Sequence, residues 1–436
     1  MNRFRVALSA LLMFAGALAA RGDSVIRVGA EPGRHPMVYG FDFERLWHFV
    51  ENKQEVDLDE LARLAVGEVK VNHVKVAING GAELEEGKIN WRVYDQQLRI
   101  MRALRKARPD IKFFAVPRPI FNDMKNGPFA PYPVWINEYE NPVMANPDAP
   151  RTFLRFHPDK AAAYLKRYFD FMAGHGFTFD YMYIKTEYDR FMRPAETVAA
   201  IRRLRELMGD AMPKVVTPAS HNWQSGAAWL REAMAKGVTD DWDITATHNT
   251  AVRGTMQEFA AEARKLDKPY WNSELHAWGG PDDMAPSKMA LLFDHVRAGY
   301  TGFTDWLTLG NEKKDHKPLR NMGGPIEVMR IYHIYKHLVN TSGGGFHLPT
   351  ELPAGVASGA AFRRNDLLTV WALNDGEAAL DGVALELPFP GARLAEVRYW
   401  GPSTPREGTV TSASSAAPPS RLEGKTLYCF LYRLPK

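Results

Sequence analysis

The segments Tyr181-Met-Tyr-Ile-Lys-Thr-Glu187 and Pro269-Tyr-Trp-Asn-Ser-Glu274 decide the reading of this chain. Both are short runs rich in aromatic and β-branched residues, which suit a pleated, buried surface. Each follows a stretch of helical spacing, and each stops on a carboxylate. If both are strands of one closed parallel barrel, both glutamates emerge at its C-terminal face.

The flanking sequence supplies the rest of such a barrel. Met37 to Phe43 is a first extended run, ahead of a helical stretch that begins near Leu58. His73 to Ile78 follows, then a helix from Tyr94 to Arg108 with Leu98, Met101 and Leu104 on one face. Ile111 to Pro117 is the third run. The Pro-, Asn- and Gly-rich loop after it is longer than a simple connection needs, which implies a binding role. A helix from His157 to His175 closes on Gly176, a C-terminal cap signal. Tyr181 to Glu187 is then the fourth strand, and Pro194 opens a helix through Leu207. Four more pairs follow: Lys214 to Ser220 with Gln224 to Lys236, Asp243 to Asn249 with Thr255 to Lys265, Pro269 to Glu274 with Ser287 to Tyr300, and Gly302 to Thr308 with Ile326 to Val339. Parallel strands need helical crossovers, and eight strand-helix units close the sheet. Residues 23–345 are therefore expected to form a (β/α)8 TIM barrel.

Gly343-Gly-Gly345 punctuates the chain, and beyond it the helical period disappears. Ala357 to Asn374, Val383 to Leu387, Leu394 to Trp400 and Leu427 to Leu434 read as antiparallel strands, with a polar loop around Ser412 to Ser420. Residues 346–436 are expected to make a small antiparallel β-sandwich. Ser24 to Val28 is a spare strand ahead of the barrel and a candidate to pair with it.

Of the 436 residues, 45% are hydrophobic and 24% charged, which suits a globular chain that buries a full core. A net charge of +4 without a long basic run argues against a nucleic-acid partner. Residues 1–22 read as a signal peptide: Arg3 and Arg5 form the positive region, Ala7 to Leu18 the apolar one, and Ala17-Leu18-Ala19 the cleavage site. That run is too short to span a bilayer, no later segment is longer, and no membrane span is expected. Cys429 is the single cysteine, so no internal disulfide forms. Export without disulfides fits a bacterial periplasm or exterior.

The strand ends carry Asp42, Glu44, Arg45, Asn79, Arg118, Glu187, His221, Asn222, His248, Asn249, Glu274 and Trp306. Packing does not call for such a polar crown. Glu187 and Glu274 close strands four and seven, opposite enough across a barrel to face each other over a cleft. Two facing carboxylates can cleave a glycosidic bond: one stays protonated to donate to the leaving oxygen, and the other is ionised to attack the anomeric carbon. Taken singly, a strand-end glutamate is more often a surface residue or half of an ion pair. Two of them at these positions of an eightfold pattern favour chemistry. Asp189 is the rival on strand four, but it lies beyond the strand end.

Tyr183-Ile-Lys-Thr-Glu187, Pro269-Tyr-Trp-Asn-Ser-Glu274, Ala115-Val-Pro-Arg-Pro119 and Tyr332-His-Ile-Tyr-Lys336 together resemble the retaining glycoside hydrolases of clan A. Within the clan the chain is most similar to families with a β-sandwich after the barrel, glycoside hydrolase family 30 and, less closely, family 39. The resemblance covers nearly all of the mature chain in architecture and these short motifs in residues. It implies Glu187 as acid/base, Glu274 as nucleophile, double displacement on β-linked poly- or oligosaccharides, and no cofactor or metal. His248 takes the place of a ring residue that orients the nucleophile in those families, although a strand histidine also serves as a core hydrogen-bonding group. The chain departs at Thr186 and Tyr188, where clan members usually carry Asn and often Pro. A threonine hydroxyl still donates one hydrogen bond to a sugar, with less reach than an amide.

Trp278, on a Gly-ended loop after Glu274, and Trp306 are candidate stacking surfaces for a sugar ring, with Trp135 a third. Core packing explains Trp306 almost as well. Arg45, Arg118, Lys185, Arg190, Arg193 and Arg253 fall at or just beyond strand ends. One or two would be solvated surface; several on one face suggest a uronate or sulfated glycan, since guanidinium pairs with such oxyanions. A metal-dependent hydrolase would show a His-x-His on an early strand, and the histidines here are scattered. A carbohydrate-binding barrel that has lost turnover is the remaining alternative.

Overall fold

The computed structural model describes residues 24–44, 56–118, 132–133, 135–139, 153–185, 187, 192–277, 281–310, 317–412, 418 and 420–435. The expected signal peptide lies outside them. Strand β1 (Val25–Val28) is followed by β2 (Val38–Asp42), β3 (His73–Asn79), β4 (Lys112–Arg118), β5 (Tyr181–Met182), β6 (Lys214–Ser220), β7 (Ile244–His248), β8 (Tyr270–Leu275) and β9 (Gly302–Asp305). Strands β2 to β9 pair in parallel, in chain order, and β9 closes onto β2. The helices between and after them are α1 (Leu58–Ala62), α2 (Asp95–Ala107), α3 (Pro158–Gly174), α4 (Pro194–Met208), α5 (Trp223–Ala235), α6 (Met256–Ala263), α7 (Ala285–Arg297) and α8 (Arg330–Ser342). The result is a (β/α)8 barrel.

Local chemistry sets the helix ends. The Asp57 side chain accepts the Glu60 N–H ahead of α1, and Asn222 accepts from Ser225 ahead of α5. Pro194 sits in the first turn of α4, and Gly176 follows α3 with φ of 82°, a left-handed conformation that a side chain resists. Leu98, Met101 and Leu104 of α2 are buried, as their spacing requires. Among the described residues no helix is long and apolar enough to cross a membrane.

Alternation along the strands fills the barrel. Phe114 and Val116 of β4, Ile244 and Ala246 of β7, and Trp271 of β8 form an inner apolar layer with Tyr181, Tyr183 and Val216. Two glycines make this layer possible. A Cβ on Gly40 would lie 2.1 Å from His73 Nε2, and one on Gly302 would lie 2.3 Å from the Trp271 ring. The His73 and Trp271 rings stack 5.7 Å apart in that space.

The fourth barrel strand departs from expectation. Its regular ladder stops at Met182, and Glu187 rejoins the sheet through a single bridge to Ser220. Extending the register of Tyr181 and Met182 puts Pro117 of β4 opposite Ile184, and Pro218 of β6 opposite Lys185. Neither proline has an N–H to give, so the ladder cannot continue on either side. Lys185 turns this to use: its ammonium donates to the Pro218 carbonyl at 3.0 Å.

After α8 come β10 (Phe346–Leu348), β11 (Thr350–Glu351), β12 (Ser358–Arg364), β13 (Leu367–Asn374), β14 (Ala384–Glu386), β15 (Arg393–Trp400), β16 (Thr409–Ser412) and β17 (Thr426–Arg433). Six of them make one sheet in the order β10-β12-β13-β17-β15-β16. β1 pairs antiparallel with β11 and parallel with β14, forming part of the opposing layer. Alternation gives the larger sheet two apolar faces. Trp371, Leu373, Leu427 and Cys429 join the barrel's core, while Val370, Ala372, Tyr428 and Phe430 pack in the sandwich with Ile26 of β1. Polar contacts lock the junction: Arg330 donates to the Gly401 carbonyl at 2.6 Å, and Ser358 to Asp294 at 2.7 Å.

Candidate active site

Above the apolar layer the barrel fills with charge. Asp42 ends β2, Lys75 lies two residues beyond His73 on the inward side of β3, and Arg118 ends β4 in phase with Phe114 and Val116. His248 ends β7 in phase with Ile244 and Ala246. Glu274 needs a different device. Trp271 faces inward and Leu275 packs outside, so strict alternation fails between them, and the pairing of β8 with both neighbours shifts register there. The irregularity turns Glu274 into the barrel.

Lys75 Nζ lies 2.6 Å from Asp42, 3.0 Å from Glu274 and 3.5 Å from Glu44, with no exposed side-chain surface. The Arg118 guanidinium donates to Glu44 at 2.6 Å and to Glu274 at 2.7 Å, and reaches within 3.8 Å of Glu187. Glu187 accepts from the Thr250 hydroxyl at 2.8 Å and pairs with His248 Nδ1 at 3.0 Å; the same nitrogen is 3.5 Å from Glu274. Tyr183 OH sits 3.2 Å from His248 Nε2. Carboxylate oxygens of Glu187 and Glu274 approach within 4.8 Å of each other.

His276 forms a second bridge. Its Nε2 lies 3.2 Å from Glu274 and 3.3 Å from the Thr250 hydroxyl. Asn249 holds its backbone, accepting the His276 N–H at 2.9 Å and donating to its carbonyl at 3.0 Å. The ring stacks on Trp306 with centroids 4.1 Å apart.

These contacts set the ionisation states. Burial pushes the Glu274 carboxyl up, but Lys75, Arg118, His248 and His276 outweigh it and hold the group well below its usual range. Burial and the Glu274 charge also push Glu187 up. The His248 hydrogen bond and charge, with Arg118, overcome them, and Glu187 falls to about 2. The raised value expected of a proton donor is therefore absent from the free site. Burial lowers His248 below 6.5, against the pull of Glu274 and Glu187. Asp42 moves the other way. Burial and the charges of Glu44 and Glu274 lift it to about 7 despite Lys75 and Arg118.

Of the residues expected to bind substrate, Arg118 and His248 are buried and turned toward the two glutamates. His248 lies nearer the acid/base candidate than the nucleophile it was expected to orient. Trp306 is half-buried and also meets Lys317, 4.7 Å from its ring centroid. Trp135 donates to the Glu83 carbonyl at 2.8 Å and packs against Tyr164. Arg193 pairs with Glu232. Arg45, Thr186, Trp278, Tyr188, Asp189 and Arg190 lie outside the described residues. Lys75, Tyr183, Thr250 and the bridging role of His276 escape a reading by strand ends. For Lys75 the signal was present: it lies in phase with His73 inside an otherwise apolar strand. Two carboxylate groupings, Glu187–His248–Glu274 and Asp42–Glu44–Glu274, have metal-like spacing. In both, Lys75 or Arg118 already supplies the positive charge an ion would bring.

The barrel with its appended sandwich is a fold shared with solved glycoside hydrolases of family 30. Among solved structures the chain is similar to a family 30 endoxylanase from Clostridium papyrosolvens C71, with 13% identity over 94% of this chain and 100% of that one and a TM-score of 0.66. It is also similar to SrfJ from Salmonella typhimurium, with 12% identity over 95% and 94% and a TM-score of 0.70. The endo-β1,6-glucanase BT3312 shares 13% identity over 96% and 94%, with a TM-score of 0.66. No family model and no curated protein matches the sequence.

Proposed function

We propose that this chain is an exported retaining glycoside hydrolase acting on a β-linked glycan, with Glu274 as nucleophile and Glu187 as acid/base. The observation that carries the proposal is the approach of the two carboxylates within 4.8 Å. A covalent double displacement uses a separation of about 5–5.5 Å, whereas inversion needs roughly 6.5–9.5 Å to admit a water. The ionised state of Glu274 suits attack on the anomeric carbon. Glu187 lies 3.0 Å from His248 Nδ1, so one proton can be held between the two groups. The reactive form carries one proton on that pair, delivered through Glu187 to the leaving oxygen. Once Glu274 is an ester, its charge no longer pushes the Glu187 pKa up, so Glu187 becomes the base that activates water.

Glu274→Ala should abolish turnover, and azide should restore it with inverted product. Glu187→Ala should spare the first step for an aryl glycoside whose leaving group needs no proton, and slow it for a poor leaving group. Full activity of Glu274→Ala sinks the assignment.

One observation favours the alternative of a carbohydrate-binding barrel without turnover: the Arg118 guanidinium is bound to Glu274 and approaches Glu187, which is itself ionised. Binding of glycan fragments with no release of reducing ends across a panel of plant and algal polysaccharides would select that reading. The preference for an acidic glycan loses three supports, since Arg118 and Arg193 are held by protein carboxylates and Lys185 is buried against the Pro218 carbonyl. It now rests on Arg45, Arg190 and Arg253. Rates on neutral and acidic forms of one backbone, across a salt series, test it.

A further inference from the structure

The two oxygens of the Glu274 carboxylate keep different company. Oε2 lies 3.0 Å from Lys75 and 2.7 Å from Arg118, both buried, with His248 Nδ1 at 3.5 Å. Oε1 meets His276 Nε2 at 3.2 Å. The His276 side chain keeps 19% of its exposure, and Thr250, 3.3 Å from the same nitrogen, is exposed. Oε1 therefore lies toward the side open to solvent, while Oε2 is turned into the buried charges.

Donors and acceptors around that nitrogen can be assigned. The Thr250 hydroxyl has one proton and donates it to Glu187 at 2.8 Å. An ionised carboxylate only accepts. His276 Nε2 thus faces two acceptors, Glu274 Oε1 and Thr250 Oγ1, and must carry a proton that it shares between them. The ring is held for this. It stacks on Trp306, and Asn249 accepts its backbone N–H. Asn249 also accepts from Asn272, which donates in addition to His295 Nε2 at 3.2 Å. Burial lowers His295 to about 4, so this ring is neutral, and it gives its Nδ1 proton to the Leu291 carbonyl at 2.7 Å. Its Nε2 is left as an acceptor, which fixes the orientation of both amides. Asn272 Oδ1 takes the Glu274 N–H at 3.3 Å, where β8 shifts register. One buried chain of hydrogen bonds therefore places both the carboxylate and the ring beside it.

We propose that Oε1 is the oxygen of Glu274 that attacks, and that His276 aims it and then passes its hydrogen bond to Thr250. The assignment rests on the reading of Glu274 and Glu187 as a glycosidase pair. In the attack the bond from Oε1 to the anomeric carbon forms as the glycosidic C–O bond breaks. The leaving oxygen takes the proton held by Glu187 and His248. Oε1 loses its charge and becomes a poor acceptor, so the His276 N–H turns wholly to Thr250 Oγ1. A hydroxyl that accepts a hydrogen bond donates a stronger one. Thr250 then holds Glu187 ionised, the state in which it activates water. His276 keeps its proton throughout and links the two glutamates without a change in its own charge.

Proton–nitrogen correlation spectra of the mature chain, which need no substrate, should show His276 protonated at Nε2. His276→Phe keeps a ring against Trp306 and removes the N–H. On the polysaccharide that the parent cleaves, it should lower kcat by about 10- to 100-fold, the loss expected of a hydrogen bond to a charged group, with KM little changed. Its acidic limb should move to higher pH, because Lys75, Arg118, His248 and His276 together hold Glu274 ionised against burial. His276→Gln can return an N–H to the same place and should recover most of the rate and the parent's limb. Thr250→Val should leave the burst of dinitrophenolate from a dinitrophenyl β-glycoside intact and slow the steady rate after it, since only the second step needs Glu187 as base. A His276 ring bare at Nε2, a His276→Phe variant with the parent's kcat and pH profile, a glutamine that recovers nothing, or a Thr250→Val variant with the parent's steady rate would each overturn the proposal. A parent that cleaves glycan beside such variants leaves the two glutamates as assigned, whereas full activity of Glu274→Ala removes the reading beneath it.

Discussion

Asp42 offers a direct test of the buried charge cluster, because its replacement by Asn keeps the shape and removes one charge. The side chain is fully enclosed, 2.6 Å from Lys75, and its carboxyl is lifted from 3.8 to about 7 by burial and by Glu44 and Glu274. The folded protein therefore holds a proton at Asp42 across a range where the unfolded chain has lost it. The stability this confers is full below pH 3.8 and declines as pH rises to 7 and through it. Integrating that one proton between pH 5 and pH 8 gives a loss of about 2–3 kcal/mol. Asp42→Asn cannot titrate, and Lys75 keeps Glu274 and Glu44 as partners. Urea unfolding of both proteins at the two pH values should show the wild type losing about 2–3 kcal/mol relative to the variant between pH 5 and pH 8. Parallel pH dependences in the two proteins would refute the reasoning, since Asp42 would then ionise no differently folded and unfolded.

Activity should fall as pH rises, because the Glu187–His248 pair must hold one proton and burial lowers His248 below 6.5; a kcat/KM profile with its optimum above pH 7 would contradict this. Lys75→Met should destabilise the fold by about 3–5 kcal/mol, the cost of leaving buried carboxylates without a partner. It should also raise the apparent pKa of the nucleophile, seen as a shift of the acidic limb to higher pH. Deleting residues 346–436 should give insoluble protein, because the sheet face with Trp371 and Leu427 is continuous with the barrel core; a soluble, active barrel would show the junction to be dispensable.

The barrel was legible because each strand-helix pair carried its own period and punctuation, and Gly176 and Pro194 marked helix ends where the structure has them. The site was legible at its two glutamates and less so around them. Polar residues at strand ends have two causes, and sequence does not separate them: Asn79 and Asn222, read as crown members, cap helical turns at Gly81 and Ser225. Alternation also misleads where it is broken. Glu274 faces the barrel interior through a register shift, and the Pro117–Pro218 gap that frees the fourth strand is visible only once those strands are neighbours. Arg118 shows the remaining limit, since an arginine at a strand end reads the same whether it awaits a substrate or holds Glu44 and Glu274.

A buried cluster of this kind is seldom there for stability, because apolar side chains of similar size generally serve a core as well or better. The barrel itself makes the comparison: one layer below, the same strands contribute Phe114, Val116, Ile244 and Ala246. The arrangement becomes intelligible on the proposed mechanism. In the free site Glu44 and Glu274 balance the two cations Lys75 and Arg118, while Asp42, lifted to about 7, keeps its proton until the pH nears neutrality. Burial, with the charges of Glu44 and Glu274, is what lifts the Asp42 pKa. When Glu274 becomes an ester its charge disappears, and Asp42 and Glu44 balance Lys75 and Arg118 one to one. The push of Glu274 on Asp42 ends at the same step, so Asp42 ionises fully beside Lys75. The cluster thus stays balanced through the attack: Asp42 takes up the negative charge that Glu274 gives up, and neither buried cation is left without a partner in the covalent intermediate.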